Sequence, residues 1–259
     1  MSAVQVHAVV EGPDDAPVLL LSNSLGADLT MWDPQVPALT GRFRVVRYDT
    51  RGHGRSAVPD GDSTIDDLTD DVVALLDRLG VDSAHVAGLS IGGMTALRLA
   101  AREPRRVRTL TVLCSSAHPG NDQSWRDRAA AVRAAGTGSI ADAVISRWLT
   151  PAYAAAHPDT VAGLRAVFEA NPDEGYASCC AVLAGLDLRD DLDRITAPTL
   201  VVSGAEDPAL PPEHQQLIAD RVPGARLLTV SPGAHLANIE QAATVTDALL
   251  AHADPGGTR

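Results

Sequence analysis

Gly88-Leu89-Ser90-Ile91-Gly92 is the stretch of this sequence that decides its fold. It fits the pattern G-x-S-x-G, in which a serine occupies a sharp turn between a buried strand and a helix. The apolar run 84–87 before it predicts the strand, and the small-residue-rich segment 91–103 after it predicts the helix. Such a turn exposes the Ser90 hydroxyl and points the Ile91 N–H into the same space. Glycine-rich strand-to-helix turns also arise for packing reasons alone, so the rest of the sequence must decide.

The composition is that of an ordinary globular protein, with 259 residues, 45% hydrophobic and 21% charged. This length suits one large α/β domain or two small ones. No apolar run approaches the ~20 residues of a membrane span, and the N-terminus lacks the pattern of a signal peptide. The three cysteines, Cys114, Cys179 and Cys180, indicate neither a disulfide framework nor a zinc site. We read the adjacent pair as small buried apolar residues. A reducing cytoplasm is the expected location.

The charge pattern excludes two classes of function. A net charge of −12 argues against nucleic acid as a partner, because a phosphate backbone would be repelled. All 21 basic residues are arginine, and the absence of lysine excludes Schiff-base chemistry. An anionic substrate would therefore be held by arginine, histidine or backbone N–H groups.

Strand and helix patterns alternate up to residue 116 and again from residue 196. The pattern predicts seven strands, at 4–10, 18–21, 43–48, 84–87, 109–113, 199–202 and 226–230. It predicts core helices at 64–79, 91–103, 213–221 and 239–251, the first of them with a capping box formed by Thr64 and Asp67. The tail 253–259 is typical of a linker or a disordered end.

The intervening residues 117–195 predict only helices, at 124–135, 140–149, 160–170 and 173–186. We therefore expect a discontinuous α/β core, 1–116 with 196–259, and a helical cap at 117–195 inserted after the strand 109–113. The insertion would leave the sheet at the carboxyl ends of the strands, where open α/β sheets bind ligands. A separate helical domain that binds something else is the alternative.

A serine nucleophile needs a base and an orienting acid, which follow in the chain order Ser, Asp or Glu, His. Asp207 follows the strand 199–202, and Glu206 beside it is a weaker competitor. His235 follows the strand 226–230. The other seven histidines are expected to be structural or solvated, because none occupies a loop after a strand downstream of the acid.

Two further loops are rich in small residues. The loop 22–26 follows the strand 18–21, and its Leu25 N–H is the candidate second oxyanion donor beside that of Ile91. A plain turn is the alternative. The loop 49–56 is read as structural, with Asp49 and Arg51 as hydrogen-bonding turn residues. It is no phosphate loop, because the required lysine is missing.

These motifs resemble the α/β-hydrolase superfamily over nearly the whole chain. Several stretches resemble the 3-oxoadipate enol-lactonases more specifically: Ser22-Asn23-Ser24-Leu25-Gly26, Trp32-Asp33-Pro34-Gln35, Ile140-Ala141-Asp142-Ala143, Arg147-Trp148-Leu149-Thr150-Pro151, Gly175-Tyr176-Ala177-Ser178-Cys179-Cys180 and Asp187-Leu188-Arg189-Asp190-Asp191-Leu192. The resemblance implies a mostly parallel twisted sheet flanked by helices, and hydrolysis of a small enol-lactone in aromatic catabolism without metal or cofactor. The substrate would be anionic, with no membrane as partner.

The resemblance also implies the roles of individual residues. Ser90 would attack the ring carbonyl, His235 would take its proton, and Asp207 would orient the imidazole. Arg147 and Trp148 are candidates to meet the substrate carboxylate, although a solvated arginine and a packed tryptophan explain them equally well.

The sequence departs from this family at both ends. The short N-terminus leaves the first strand of the usual hairpin missing or vestigial. The Pro/Gly tail would suit the front half of a fusion with a carboxymuconolactone decarboxylase, or an association with one. Other esterases, perhydrolases and C–C hydrolases of this fold remain open, as does a non-catalytic ligand receptor. Ser90 excludes the members that use an aspartate at the elbow.

Overall fold

The computed structural model describes residues 3–254. A seven-stranded sheet has the order β1-β3-β2-β4-β5-β6-β7, in which β1 is antiparallel to β3 and every other pair is parallel. The strands are β1 Ala8–Glu11, β2 Val18–Ser22, β3 Arg44–Tyr48, β4 Ala84–Leu89, β5 Val107–Leu113, β6 Thr199–Gly204 and β7 Arg226–Val230. All residues of β2, β4 and β6 are buried, as in strands covered on both faces. The predicted α/β-hydrolase fold class is confirmed.

Eleven α-helices make up much of the remaining described chain. In order they are α1 Val36–Leu39, α2 Ile65–Arg78, α3 Ile91–Arg102, α4 Asp122–Ala135, α5 Ala141–Ile145, α6 Pro151–Ala156, α7 Pro158–Glu169, α8 Asp173–Ala184, α9 Pro212–Arg221, α10 Ala237–Glu240 and α11 Ala242–Ala253. The predicted capping box starts α2: Thr64 Oγ1 accepts from Asp67 N–H at 3.2 Å, and Asp67 Oδ2 accepts from Thr64 N–H at 2.8 Å. The predicted closing helix 239–251 is divided at Gln241 into α10 and α11.

The strand predicted over 4–10 begins four residues late. Val4 N–H donates to Asp71 Oδ1 at 2.7 Å, and His7 N–H donates to Ser56 Oγ at 2.8 Å. Side chains therefore take donors that a strand would give to its neighbour. No strand precedes β1 within residues 3–7.

Between β5 and β6 the described chain forms helices and turns without a strand. The predicted helix 140–149 is wrong in its second half, because α5 ends at Ile145. Pro151 holds Thr150 in an extended conformation, and Thr150 then caps α6 by accepting from Tyr153 N–H. The division into a core and a cap at 117–195, the cap segment hereafter, stays a prediction.

The predicted tail begins later than expected, because Ala253 still belongs to α11, and residues 255–259 lie outside the described chain. None of the helices in residues 3–254 has the length and apolar character needed to cross a bilayer.

Candidate active site

The serine turn joins β4 to α3 with a backbone that few residues adopt. Ser90 has φ 59° and ψ −122°, a strained conformation for a residue with a side chain. Its N–H donates to Leu113 O at 3.0 Å, and its C=O accepts from Ser115 Oγ at 2.7 Å and from Met94 N–H at 3.0 Å. These three bonds hold the strained turn, which fixes the direction of the Ser90 side chain.

The two motif glycines allow the turn to press against its neighbours. A Cβ atom on Gly88 would lie 2.2 Å from Gly92 O, and one on Gly92 would lie 2.5 Å from Ser22 O at the end of β2. Both distances are far below van der Waals contact, and both obstacles are backbone. Glycine at these positions therefore brings the Ser90 turn against the loop that follows β2.

Asp207 and His235 form a buried pair at the ends of β6 and β7. Asp207 Oδ2 accepts from His235 Nδ1 at 2.8 Å, while its Oδ1 accepts from the N–H groups of Ala209 at 2.8 Å and Leu210 at 3.1 Å. The carboxylate is thus held at both oxygens. With its proton on Nδ1, the neutral imidazole has a bare Nε2 that can act as a base. The competing acid Glu206 is exposed, so the structure brings Asp207 to the histidine.

Ser90 and His235 line one cavity of about 170 Å³, together with Leu25. No hydrogen bond joins the Ser90 hydroxyl to His235 in the described structure. Such bonds are often long before substrate binds and tighten in the reacting complex.

The backbone N–H groups beside the cavity that have no acceptor within residues 3–254 include two that the sequence singled out. They belong to Leu25 and Ile91, which are the predicted oxyanion donors. The neighbours of Leu25 are bonded: Ser24 N–H donates to Met31 Sδ, and Gly26 N–H donates to His53 Nε2. Buried N–H groups are rarely left without a partner, so these two are available to a ligand.

The cap segment contributes the predicted residues in two different ways. Trp148 is buried and meets the Phe168 ring edge-on at 5.9 Å between centroids, while Arg147 is exposed. Both line the cavity. The Trp148 C=O accepts from Leu236 N–H at 2.8 Å, directly after the candidate base. Trp148 is therefore both cavity wall and support for the His235 loop.

Sequence reasoning missed the cavity residues on α4, which include Trp125 and Arg128. The Arg128 guanidinium lies 4.5 Å from the centroid of the Trp125 ring, and both side chains line the cavity. Burial raises the pKa of Tyr176, and the positive charge of Arg128 opposes that rise. Neither Arg128 nor Arg147 forms an ion pair with a carboxylate in the described chain. The i, i+3 spacing of Trp125 and Arg128 on the first cap helix was the available signal.

Glu240 is a second residue that the sequence did not reveal. Its buried Oε2 accepts from Ala234 N–H and from Thr150 N–H, each at 3.1 Å, and its Oε1 accepts from Thr150 Oγ. One carboxylate thus ties the cap segment to the residue before His235. Nothing in the sequence near Glu240 distinguishes it from a surface acid at a helix end.

The loop 49–56 is built as a structural loop, with one difference from the prediction. Asp49 accepts from Leu29 N–H and Arg55 N–H, both at 2.9 Å. Arg51 reaches beyond its own turn, because its fully buried guanidinium donates twice to Asp71 of α2, at 2.6 and 2.7 Å. Cys179 and Cys180, also fully buried, are free thiols as the sequence indicated.

Comparison with known proteins identifies the family to which this chain is similar. The sequence model of the family described as alpha/beta hydrolase fold matches residues 17–242. The chain is 39% identical to 3-oxoadipate enol-lactonase 2 of Acinetobacter baylyi, over 92% of this chain and 89% of that protein. It is 31% identical to a putative carbamate hydrolase RutD of Stutzerimonas stutzeri, over 96% of this chain and 95% of that protein. The crystal structure of the enol-lactonase from Burkholderia xenovorans LB400 superimposes with a TM-score of 0.93 and 41% identity, over 95% of each chain.

Proposed function

Since this chain belongs to the α/β-hydrolase family and is a hydrolase, we propose that it hydrolyses 3-oxoadipate enol-lactone to 3-oxoadipate, with Ser90 as the nucleophile. One observation carries the proposal. The cavity that Ser90 and His235 line also holds Arg128 and Arg147, two arginines without a carboxylate partner in the described chain. A small lactone that bears a carboxylate matches both the Ser90–His235 pair and the two arginines. The similarity to enol-lactonases supports the same substrate.

The reaction would follow the acyl-enzyme route of serine hydrolases. His235 Nε2 takes the proton as Ser90 Oγ attacks the ring carbonyl, and Asp207 steadies the imidazolium that forms. The N–H groups of Leu25 and Ile91 receive the developing oxyanion, where each such donor is typically worth ~100- to 1000-fold in rate. The leaving enolate takes the Ser90 proton from His235 and the resulting enol tautomerises to the ketone, so ring opening is hard to reverse and His235 can act as a base again. Water activated by His235 then releases the product.

The two cavity arginines would hold the substrate carboxylate. The whole chain carries a net charge of −12, so an anion is repelled at long range and needs a local positive field near the site. Arg128 is fixed against Trp125, whereas Arg147 is exposed at the cavity wall. We therefore assign the larger share of carboxylate binding to Arg128.

Loss of the ultraviolet absorbance of the enol-lactone tests the proposal. The wild-type protein should clear it, and Ser90→Ala should lower kcat by about 10,000-fold or more. Ser146→Ala, an exposed serine in the cap segment, is the matched control and should keep full activity. Turnover of p-nitrophenyl acetate or of a carbamate with none of the lactone would reject the substrate. Full activity of Ser90→Ala would reject the nucleophile.

The carboxylate assignment has its own test. Arg128→Met should raise KM for the lactone by about 10- to 100-fold, because a charge-assisted hydrogen bond to a carboxylate contributes about 1.5–3 kcal/mol. The uncharged p-nitrophenyl acetate should be turned over as before. Arg126→Met, an exposed arginine on the same helix, is the control. An equal loss on both substrates would contradict a role in carboxylate binding.

The biological setting belongs to the same proposal. A 3-oxoadipate enol-lactonase would act in aromatic catabolism, and we place that activity in the cytoplasm. Association with a carboxymuconolactone decarboxylase would supply its substrate directly. Co-purification from cells grown on an aromatic carbon source tests this last point, and a lactonase that purifies alone under those conditions would reject the association.

A further inference from the structure

The loop after β2 is held by hydrogen bonds on both sides of the Leu25 N–H group, which has no acceptor among the described residues. Before Leu25, Ser24 N–H donates to Met31 Sδ at 3.2 Å. After it, Gly26 N–H donates to His53 Nε2 at 3.0 Å. The direction of the Leu25 N–H depends on the backbone angles of Ser24 and Leu25. Those angles are fixed when the residues at both ends are fixed.

The His53 ring can play this part in one protonation state. Its Nε2 receives the Gly26 N–H and must be bare, so the proton is on Nδ1, which donates to Arg51 O at 3.1 Å. The ring is completely buried, and burial lowers the pKa of His53 to about 4. A neutral imidazole with a single tautomer therefore joins Arg51 to Gly26 throughout the neutral pH range.

Both ends of this link are firm. Arg51 is anchored by its two hydrogen bonds to Asp71. On the other side, Asn171 of the cap segment donates from Nδ2 to Gly26 O at 2.8 Å and accepts at Oδ1 from Gly54 N–H at 3.2 Å. The Gly26 residue is thus held at its N–H by the core and at its C=O by the cap segment.

We propose that His53 is a positioning residue for catalysis, which holds Gly26 so that the preceding Leu25 N–H faces the oxyanion. The loop 49–56, which its sequence predicts to be structural, then acts on the reaction through the backbone of a second loop. The inference rests on the proposed function, in which Leu25 N–H stabilises the oxyanion. It assigns His53 no contact with the substrate.

Two substitutions separate the two nitrogens of the ring. In His53→Gln, the amide oxygen reaches the place of Nε2 and can still accept from Gly26 N–H. In His53→Asn, the shorter amide can still donate to Arg51 O but leaves Gly26 N–H without its acceptor. We expect His53→Asn to lower kcat by about 10- to 100-fold with KM within about threefold, less than the full loss of an oxyanion donor. His53→Gln should stay within about fivefold of the wild type.

A transition-state mimic distinguishes positioning from general damage. An alkyl boronic acid forms a tetrahedral anionic adduct with an active serine, whereas 3-oxoadipate binds as a ground-state product. In His53→Asn, boronate affinity should fall in parallel with kcat/KM while product affinity is unchanged. His85→Asn, which removes another buried histidine, bonded to Thr109, is the control for fold damage and should leave the ratio of the two affinities unaltered.

The outcomes decide the inference in each case. An unchanged kcat in folded His53→Asn, or equal loss of boronate and product affinity, would overturn it. If His53→Asn does not fold, His53→Gln decides: retention of boronate selectivity supports the inference, and its loss in a folded protein overturns it. The esterase assay with p-nitrophenyl acetate uses the same oxyanion site, so rejection of the lactone as substrate leaves this test intact. Full activity of Ser90→Ala would instead remove the proposed function itself.

Discussion

Replacement of Glu240 should separate the contribution of one buried carboxylate from the rest of the fold. In Glu240→Ala, the N–H groups of Ala234 and Thr150 both lose their acceptor. A buried donor without a partner costs about 1–3 kcal/mol, and water entering the space left by the side chain satisfies part of the need. We expect the free energy of unfolding to fall by about 3 kcal/mol.

The amide variant refines this expectation. In Glu240→Gln, the amide oxygen can take the position of Oε2 and accept from both N–H groups. Its NH2 then faces the hydroxyl of Thr150, which can rotate to accept. The variant loses charge assistance alone, and we expect a cost of about 1 kcal/mol. It should also keep most of the activity, because Ala234, next to His235, stays bonded.

Urea unfolding followed by circular dichroism measures these differences, with lactone kcat recorded on the same samples. Glu213→Ala, an exposed glutamate in the first turn of α9, is the matched control and should cost less than about 1 kcal/mol. The reasoning is refuted if Glu240→Ala unfolds at the same urea concentration as Glu213→Ala. It is refuted equally if Glu240→Gln is as unstable as Glu240→Ala.

Two further predictions concern pH and the cap segment. Because the pKa of His53 is lowered from 6.5 to about 4 in the folded protein, the unfolded chain takes up a proton that the folded one does not as pH falls through this window. The free energy of unfolding should therefore fall by about 3 kcal/mol between pH 6.5 and 4 because of His53. Urea titrations at several pH values should show a smaller fall for His53→Gln than for the wild type. Equal pH dependence of the unfolding free energy in the two proteins would contradict the prediction. A Cβ atom on Gly175 would lie 2.1 Å from Gly52 O, whereas one on Gly163 meets nothing within 4 Å. Gly175→Ala should thus destabilise the protein by more than about 2 kcal/mol. Gly163→Ala, on the exposed face of α7, should stabilise it by about 0.5–1 kcal/mol. Thermal melts in which Gly175→Ala is the more stable variant would refute the steric argument.

The parts of this fold that the sequence predicted are those encoded locally. The glycine spacing between a predicted strand and a predicted helix indicates the turn at Ser90. Asp207 follows the buried strand β6, His235 follows β7, and parallel strands present their carboxyl ends at one edge. The Thr64 capping box and an apolar face predicted both ends of helix α2 to within one residue. The catalytic roles of Ser90, Asp207 and His235 stay predictions.

The residues that sequence reasoning missed depend on long-range contacts. Glu240 meets Thr150 ninety residues away, and His53 meets Gly26 across two strands. An acid, a histidine or an arginine has the same local appearance whether its partner is water or a distant backbone group. Strand β1 was misplaced for the same reason, because the donors of Val4 and His7 go to side chains far along the chain.

The attachments of the cap segment bear on how such an enzyme could change its substrate. Thr150 is hydrogen-bonded to Glu240, which holds the loop of His235, and Asn171 is hydrogen-bonded to Gly26 in the loop of Leu25. Helix α4, in contrast, presents Trp125 and Arg128 to the cavity. Under the proposed function, α4 would act on selectivity without taking part in these hydrogen bonds, whereas Trp148 both lines the cavity and supports the His235 loop. Substitutions along the cavity face of α4 can explore new acyl groups while the hydrogen bonds that align the catalytic loops persist. Under the proposed function, substitutions on α4 could therefore change the substrate of such an enzyme during evolution while hydrolytic activity is retained.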